Sequence, residues 1–350
     1  MTESVDAARR DRHTAPDGAN AAPRSRHWAN LNETTFVFGV RILFWVHRIL
    51  GRQPFRVCLY PVVLYYWLTN VRAAQASTDY LQQLQATHDS FGRKIGWFDS
   101  MRHFMAFAET ILDKLLAVTG AIDPTSVRVI GEGELLLKAQ LATGRGAVIV
   151  TGHVGCVELC RLSGERHKGV RLNVLVHTRH AERFNRVLKS LNPHTEIHLI
   201  QVTEVNPATA MLLSERVERG EIVAVAGDRV PVVSGSQRQV QATVPAMFLG
   251  REAQFPIGPY VLASLFKCPL FAIACVREKD STGAQSYVLR VERLAELVIV
   301  SRKNRSEAFG IQAQSFANWL ESVLVGSPLS WFNFFPFWQQ DSIADQPHHK

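Results

Sequence analysis

The pattern of apolar residues changes at Pro124, and this change divides the chain into two parts. Before Pro124, the spacing of apolar side chains predicts helices over Phe36–Arg52 and Phe104–Leu116, with a polar helix over Asp79–Thr87. After Pro124, short β-branched runs alternate with helical stretches. The first part is therefore predicted to be helical, and the second to contain both strands and helices.

The second part is predicted to form an α/β fold. The predicted strands are Val127–Ile130, Ala147–Thr151, Val170–Val176, Glu196–Ile200, Ile222–Ala226, Leu270–Val276 and Tyr287–Leu294. The predicted helices are Glu132–Ala142, Ala181–Leu191, Pro207–Glu218, Pro256–Phe266 and Ser306–Val325. This alternation predicts a mixed, largely parallel central sheet flanked by helices.

The helix predicted over Phe36–Arg52 combines aromatic residues such as Trp45 with a basic stripe of Arg41, Arg48 and Arg52. Aromatic and basic faces of this kind are typical of a helix that lies in a membrane interface. A buried helix whose arginines extend to the surface is the alternative. The residues from 34 to 78 contain no acidic side chain, which favours the membrane interpretation and predicts a helical membrane-docking segment.

These patterns predict four segments: a disordered tail over residues 1–26, a helical membrane-associated segment over 27–120, an α/β core over 121–338 and a tail over 339–350. No stretch reaches the roughly 18–20 uncharged apolar residues of a spanning helix. The first 30 residues lack the apolar centre of a signal peptide. We therefore expect a peripheral protein that faces the cytoplasm.

Charge and cysteine content narrow the classes of partner and compartment. The formal net charge of +8 results from 39 basic and 31 acidic residues, and it indicates an anionic partner such as membrane lipid, nucleic acid or a phosphorylated carrier. No recognised nucleic-acid motif accompanies the basic and aromatic clusters, so nucleic acid is disfavoured. Five cysteines without an even framework favour a reducing compartment.

The stretch AVIVTGHVGCVELC, Ala147–Cys160, contains the candidate chemistry. Its apolar run predicts a buried strand, His153 is expected at the following turn, and Glu158 is expected in the next helical turn. A carboxylate on one imidazole nitrogen would leave the other free to take a proton from a hydroxyl. A strand end with a chance histidine is the alternative. Cys156, Cys160 and His153 lack a fourth ligand for zinc, so no metal site is predicted.

The segment TGHVGCVEL resembles the H-x4-[DE] block of the lysophospholipid acyltransferase superfamily, closest to the bacterial lipid A biosynthesis (late) acyltransferases. His153, Gly155 and Glu158 match the block T-G-H-x-G-N-W-E, whereas Cys156 and Val157 replace its Asn-Trp. The resemblance extends from about His27 to Trp338.

Further blocks follow in the same order as in these acyltransferases. By resemblance, the substrate-binding candidates besides Gly155 are Arg179, Asn185, Asp228, Arg229, Phe248, Gly250 and Gly258. The C-terminal segment Ser327-Pro-Leu-Ser-Trp-Phe-Asn is similar to the terminal P-x-x-W-x-W motif, with Asn333 in place of the second Trp.

The resemblance implies an O-acyltransferase that moves a fatty acyl group from a thioester to a hydroxyl of a membrane lipid or glycolipid of the lipid A type. His153 would be the general base and Glu158 would orient it, without an acyl-enzyme, a bound cofactor or a metal. The implied donor is acyl carrier protein or coenzyme A, and the implied place is the cytoplasmic face of the inner membrane. A different acceptor (a lysophospholipid, an amino-acid lipid or a polyene pigment) and a catalytically silent scaffold remain alternatives.

Overall fold

A seven-stranded sheet is the scaffold of the protein in the computed structural model, which describes Trp45, Ile49 and residues 51–160, 171–176, 197–201, 206–229, 243–279, 285–301 and 303–339. In chain order its strands are β1 (Val127–Ile130), β2 (Val148–Gly155), β3 (Leu172–Val176), β4 (Ile197–Gln201), β5 (Ile222–Ala226), β8 (Leu270–Lys279) and β9 (Gln285–Ala295). A separate hairpin consists of β6 (Thr243–Phe248) and β7 (Arg251–Pro256).

The strand order across the sheet is β1, β9, β8, β2, β5, β3, β4. All neighbouring pairs are parallel except β8 and β9, which are antiparallel. The predicted mixed, largely parallel sheet is therefore confirmed. Because β2 and β5 are parallel neighbours at its centre, their carboxyl ends lie side by side, where open α/β sheets bind ligands.

Helices cover the sheet and form the N-terminal region of the described chain. They are α1 (Arg52–Thr69), α2 (Val71–His88), α3 (Trp97–Val118), α4 (Gly133–Ala142), α5 (Pro207–Glu218), α6 (Gly258–Phe266) and α7 (Arg305–Gly326). The core combines α6 and α7 with the central strands and includes the buried side chains of Val150, Tyr260, Phe316 and Leu320. None of the described helices is long and apolar enough to span a membrane.

The N-terminal prediction is only partly within the described residues. Trp45 and Ile49 are helical and exposed, whereas Arg41 and Arg48 lie outside the described residues. Arg52 begins α1 instead of ending the predicted helix, because Gly51 has a φ of 81° that interrupts a right-handed helix. The membrane-docking segment and the predicted domain boundaries stay predictions.

The β6–β7 hairpin was not predicted from the sequence. Its two-residue turn consists of Leu249 and Gly250, both at positive φ, where Asn-Gly or Asp-Gly is the usual signal. The turn is fixed from outside, because Leu249 O accepts hydrogen bonds from Gln83 Nε2 at 2.6 Å and Thr87 Oγ1 at 2.9 Å. Tertiary contacts with α2 therefore compensate for a weak local turn sequence.

An ion-pair cluster around two buried carboxylates, Glu109 and Asp113, joins α1 and α3 to the sheet. Arg52 Nη2 donates to Asp113 Oδ1 at 2.8 Å, Arg56 Nε lies 2.5 Å from Glu109 Oε1, and Arg277 of β8 pairs with both carboxylates. The assignment of Arg52 to a membrane-facing stripe is therefore wrong, since its guanidinium points inward. Removing one partner from such a cluster would leave an unpaired buried charge.

His103 of α3 should make the protein sensitive to mild acid. Its ring is fully buried, with Nδ1 2.9 Å from Ser77 Oγ and Nε2 2.7 Å from Trp331 O. Burial lowers the pKa of His103 to about 4, although the bond to Trp331 opposes this shift. The unfolded chain, with a histidine pKa of about 6.5, then binds a proton that the folded chain excludes.

The free energy of unfolding should therefore fall as the pH decreases from about 6.5 to about 4, by up to about 3 kcal/mol from this residue. The hydrogen bond from Arg93 lowers the pKa of Asp99 to about 2, although burial opposes this shift. Asp99 therefore affects the free energy of unfolding only below this pH window. Urea unfolding at pH 7 and pH 4.5 tests the effect. In His103→Asn the loss between the two pH values should be smaller by about 2–3 kcal/mol; an equal loss in both proteins would contradict the assignment.

Candidate active site

The carboxyl end of β2 carries the H-x4-E block. The strand was expected to end at Thr151, but it continues to Gly155, with its register to β8 shifted between these two residues. His153 therefore lies within the strand end and not on a turn. Gly155 has a φ of 58°, and a Cβ there would stand 2.0 Å from Cys275 O. A glycine is thus required for β2 to pass β8 at this point.

His153 is paired with Asp228, the residue that follows β5 by one glycine. His153 Nδ1 donates to Asp228 Oδ1 at 2.8 Å, and the His153 backbone N–H donates to Asp228 Oδ2 at 2.7 Å. The carboxylate is buried, whereas the His153 side chain is 38% exposed. A hydrogen bond at Nδ1 fixes the tautomer, which leaves the lone pair of Nε2 available for a proton.

The ionised form of Asp228 is strongly favoured. Burial opposes the charge, but the imidazole of His153, the charge of Arg229 and the His153 backbone N–H outweigh burial and hold the pKa of this carboxyl well below its usual range. The indole of Trp331 adds a further donor, with Nε1 2.8 Å from Asp228 Oδ2. Asp228 is therefore a fixed negative charge at Nδ1 of the imidazole.

Arg229 lies beside this pair and closes one side of the site. Its Nη2 donates to Phe332 O at 2.9 Å, and its guanidinium lies over the Phe335 ring, 5.5 Å from the ring centre. Burial lowers the pKa of Arg229, and the charge of Asp228 partly offsets this effect. Asp228 and Arg229 were both predicted at this edge of the sheet, and the structure brings both to the end of β5 next to His153.

Glu158 does not contact the imidazole, contrary to the expectation that it would orient His153. It lies in a 3-10 turn, Val157–Leu159, that directs its carboxylate toward α3, where Oε1 is 3.3 Å from Lys114 Nζ. Burial opposes the charge of Lys114, but Glu158 outweighs it and the pKa of Lys114 is raised. The sequence spacing was compatible with a curled-back Glu158; it could not show that Asp228 already occupies Nδ1.

The remaining substrate-binding candidates either lie outside the described residues or are not placed beside the His153–Asp228 pair. Arg179 and Asn185 lie outside the described residues. Phe248 is fully buried against Trp331, with ring centres 5.2 Å apart, a position for packing and not for substrate contact. Gly250 occupies the β6–β7 turn, and Gly258 is the exposed first residue of α6. No described hydrogen bond joins these last two to the His153–Asp228 pair.

Trp331 is a residue of the site that was not predicted from the sequence. It belongs to the C-terminal segment that resembles the P-x-x-W-x-W motif, so the signal was present, but its contact with Asp228 spans 103 residues of sequence. Two backbone hydrogen bonds of 2.8 Å attach this segment to β2: the N–H of Gly155 donates to Ser330 O, and the N–H of Phe332 donates to His153 O. The C-terminal segment around Trp331 therefore packs against the buried side of the His153–Asp228 pair.

A cavity of about 170 Å³ adjoins the block on the side of α3. Its lining combines the polar side chains of Thr110 and Arg277 with the apolar surfaces of Cys156, Cys275 and Phe332. Within the described part of the chain, no group of three or more His, Cys, Asp and Glu side chains is arranged to hold a metal ion. The chemistry available here is that of a histidine–carboxylate pair with two partly buried cations, Arg229 and Lys114, nearby.

A buried carboxylate that fixes a partly exposed imidazole at the carboxyl edge of a parallel sheet is an arrangement that transferases and hydrolases use for general-base chemistry. The sequence profile of the family described as bacterial lipid A biosynthesis acyltransferase matches residues 103–340. The chain belongs to this family, and its predicted membership is confirmed. A search of curated proteins gives no significant match.

Proposed function

We propose that the protein transfers a fatty acyl group from an acyl thioester to a hydroxyl of a lipid acceptor. The observation that carries this proposal is the 2.8 Å bond from His153 Nδ1 to the buried Asp228 in a chain of the lipid A acyltransferase family. Family membership supplies the reaction class, acyl transfer to a lipid. The pair supplies a base at the residue where the family block has its histidine.

In the proposed reaction, Nε2 of His153 takes the proton of the acceptor hydroxyl as its oxygen attacks the thioester carbonyl carbon. The C–O bond forms, the tetrahedral intermediate collapses, and the C–S bond breaks. The departing thiolate takes the proton from the imidazolium, so that the products are an ester and a free thiol. Asp228 stabilises the imidazolium between these two steps and keeps the ring in one tautomer.

Direct transfer needs no nucleophilic side chain, and the cysteines support this route. Burial raises the pKa of the thiols of Cys156 and Cys160 well above the usual value, so neither is a ready thiolate at neutral pH. We retain a role for Glu158 that differs from the one predicted: its pair with Lys114 fixes a cation near the site, where negative charge develops on the thioester oxygen.

The donor in this proposal is acyl carrier protein or coenzyme A. Acyl carrier protein is acidic and coenzyme A carries phosphates, so the net charge of +8 suits either. A lipid A-type glycolipid is the first candidate acceptor. A lysophospholipid, amino-acid lipid or polyene pigment is the second, because Cys156 replaces the Asn of the family block and lines the cavity next to the site.

Purified protein should be assayed with labelled acyl groups on each donor, against a lipid A precursor and against the alternative acceptors. Mass spectrometry of lipids from cells with and without the gene gives the acceptor in vivo, as a species short of one acyl chain. A protein that transfers to no acceptor from either donor, while folded, would contradict the proposal and favour the scaffold alternative.

We further propose that the protein docks peripherally on the cytoplasmic face of the inner membrane through the outer side of α1. This outer face is defined by Val57, Leu64, Tyr65 and Leu68, which are exposed. The helix has no acidic residue, and its two arginines turn inward to the ion-pair cluster. An apolar, aromatic surface without negative charge suits the interface of an anionic bilayer.

Changing Leu64, Tyr65 and Leu68 together to glutamate should weaken binding to anionic vesicles. Full burial of a large apolar side chain contributes about 1.5–3 kcal/mol. Side chains in a membrane interface are only partly immersed, so the loss of three predicts about tenfold to a thousandfold weaker partitioning. Sedimentation with vesicles measures this. The matched control changes three exposed apolar residues elsewhere, Met211, Ile299 and Ile311, to glutamate and should bind as the parent does. Equal binding by both triple variants would contradict this docking face.

A further inference from the structure

We propose that Trp331 is a positioning residue of the transfer reaction: its indole N–H fixes the carboxylate of Asp228 and, through it, the orientation and tautomer of His153. The inference rests on the proposed function, since it assigns Trp331 a part in that same reaction.

The two oxygens of Asp228 have different partners. Oδ2 accepts from the His153 backbone N–H at 2.7 Å and from Trp331 Nε1 at 2.8 Å, and Oδ1 accepts from His153 Nδ1 at 2.8 Å. Two donors on Oδ2 oppose rotation of the carboxylate, so that Oδ1 stays directed at the ring. Asp228 is only 1% exposed, so bulk water has little access to replace the indole as a donor.

Ring contacts, a hydrogen bond and a backbone bridge fix the position of Trp331. It is fully buried, its ring makes edge-on contacts with Tyr80 at 5.0 Å and Phe337 at 4.9 Å, and its carbonyl oxygen faces His103 Nε2 at 2.7 Å. An isolated antiparallel bridge joins it to Val154, next to the catalytic histidine. A donor fixed in this way is preorganised, so it requires no rearrangement when charge builds on the imidazole.

Trp331→Phe should lower kcat by about ten- to a hundredfold, the usual effect of losing a hydrogen bond to a charged group when it acts in the transition state. KM should change by less than about threefold, because Trp331 is fully buried behind Asp228 and has no exposed surface to offer a substrate. A wild-type kcat in folded Trp331→Phe would overturn the proposal.

Trp338→Phe is the matched control. Trp338 belongs to the same aromatic cluster, with its ring 5.5 Å from that of Phe337, and its Nε1 is buried without a hydrogen-bond partner among the described residues. This variant removes a similar ring volume but no bond to Asp228, so its kcat should equal that of the wild type. A loss equal to that of Trp331→Phe would assign both effects to packing and overturn the proposal.

A double-mutant cycle separates positioning from structural support. If Trp331 acts through Asp228, adding Trp331→Phe to Asp228→Asn should lower kcat no further, whereas independent losses would multiply and overturn the proposal. If Trp331→Phe does not fold, benzothienylalanine at position 331 keeps the bicyclic shape without the N–H and should give the same fall in kcat. Absence of transfer by the wild-type protein would instead contradict the proposed function itself.

Discussion

Replacing His153 with alanine should lower the rate of acyl transfer by about 10²–10⁴ while leaving the protein folded, because this is the usual contribution of a general base. The side chain is partly exposed, so its loss removes little packing, but it leaves the buried Asp228 Oδ1 without its donor. Two donors remain on Oδ2, so a loss of about 1–3 kcal/mol of stability is expected in a protein that still folds. Initial rates with a labelled acyl thioester and the preferred acceptor measure the effect.

His153→Gln is the matched variant for this prediction. Glutamine keeps an amide that can hydrogen-bond near Asp228 but has no group that takes a proton, so its rate should fall as far as that of the alanine variant. Activity close to wild type in either folded protein would contradict the mechanism. An acyl group trapped on Cys156 or Cys160 would contradict it differently, by showing an acyl-enzyme.

Asp228→Asn should also reduce the rate by about 10²–10⁴, since a neutral amide cannot stabilise the imidazolium and selects the wrong tautomer. The asparagine oxygen would accept from the His153 backbone N–H and the Trp331 indole, which now share Asp228 Oδ2. Its NH₂ group would then face Nδ1 of His153, and the ring proton would move to Nε2. The base would thus carry a proton on the nitrogen that must accept one.

The pH dependence provides a second measurement for this variant. Because the pKa of Asp228 lies well below its usual range, its carboxylate stays ionised as the pH falls and should not contribute to the acid limb of kcat/KM. Asp228→Asn should lower the height of this profile at every pH. A rate that reaches the wild-type level at high pH would contradict the assigned role of Asp228.

The sequence was sufficient to predict the sheet because its strands are short, apolar and separated by helical stretches. The predicted bounds of Val127–Ile130 and Ile222–Ala226 coincide with β1 and β5. The β6–β7 hairpin was missed because Leu249-Gly250 is a weak turn signal and contacts with α2 and α7 supply the rest.

Prediction of the site was limited by sequence distance. His153 was identified because a local block surrounds it, and Asp228 was identified only as a residue at a strand end. That the two form a pair depends on β2 and β5 being parallel neighbours, which no local pattern specifies. Glu158, the nearer carboxylate in sequence, instead faces Lys114 across the 3-10 turn.

The most direct test of the account is the rate of acyl transfer by Asp228→Asn and Glu158→Gln, measured side by side with the same donor and acceptor. The structure pairs His153 with Asp228, so Asp228→Asn should lose about 10²–10⁴ and Glu158→Gln only about tenfold. A loss in Glu158→Gln as large as that in His153→Ala, together with near wild-type activity of Asp228→Asn, would contradict the account.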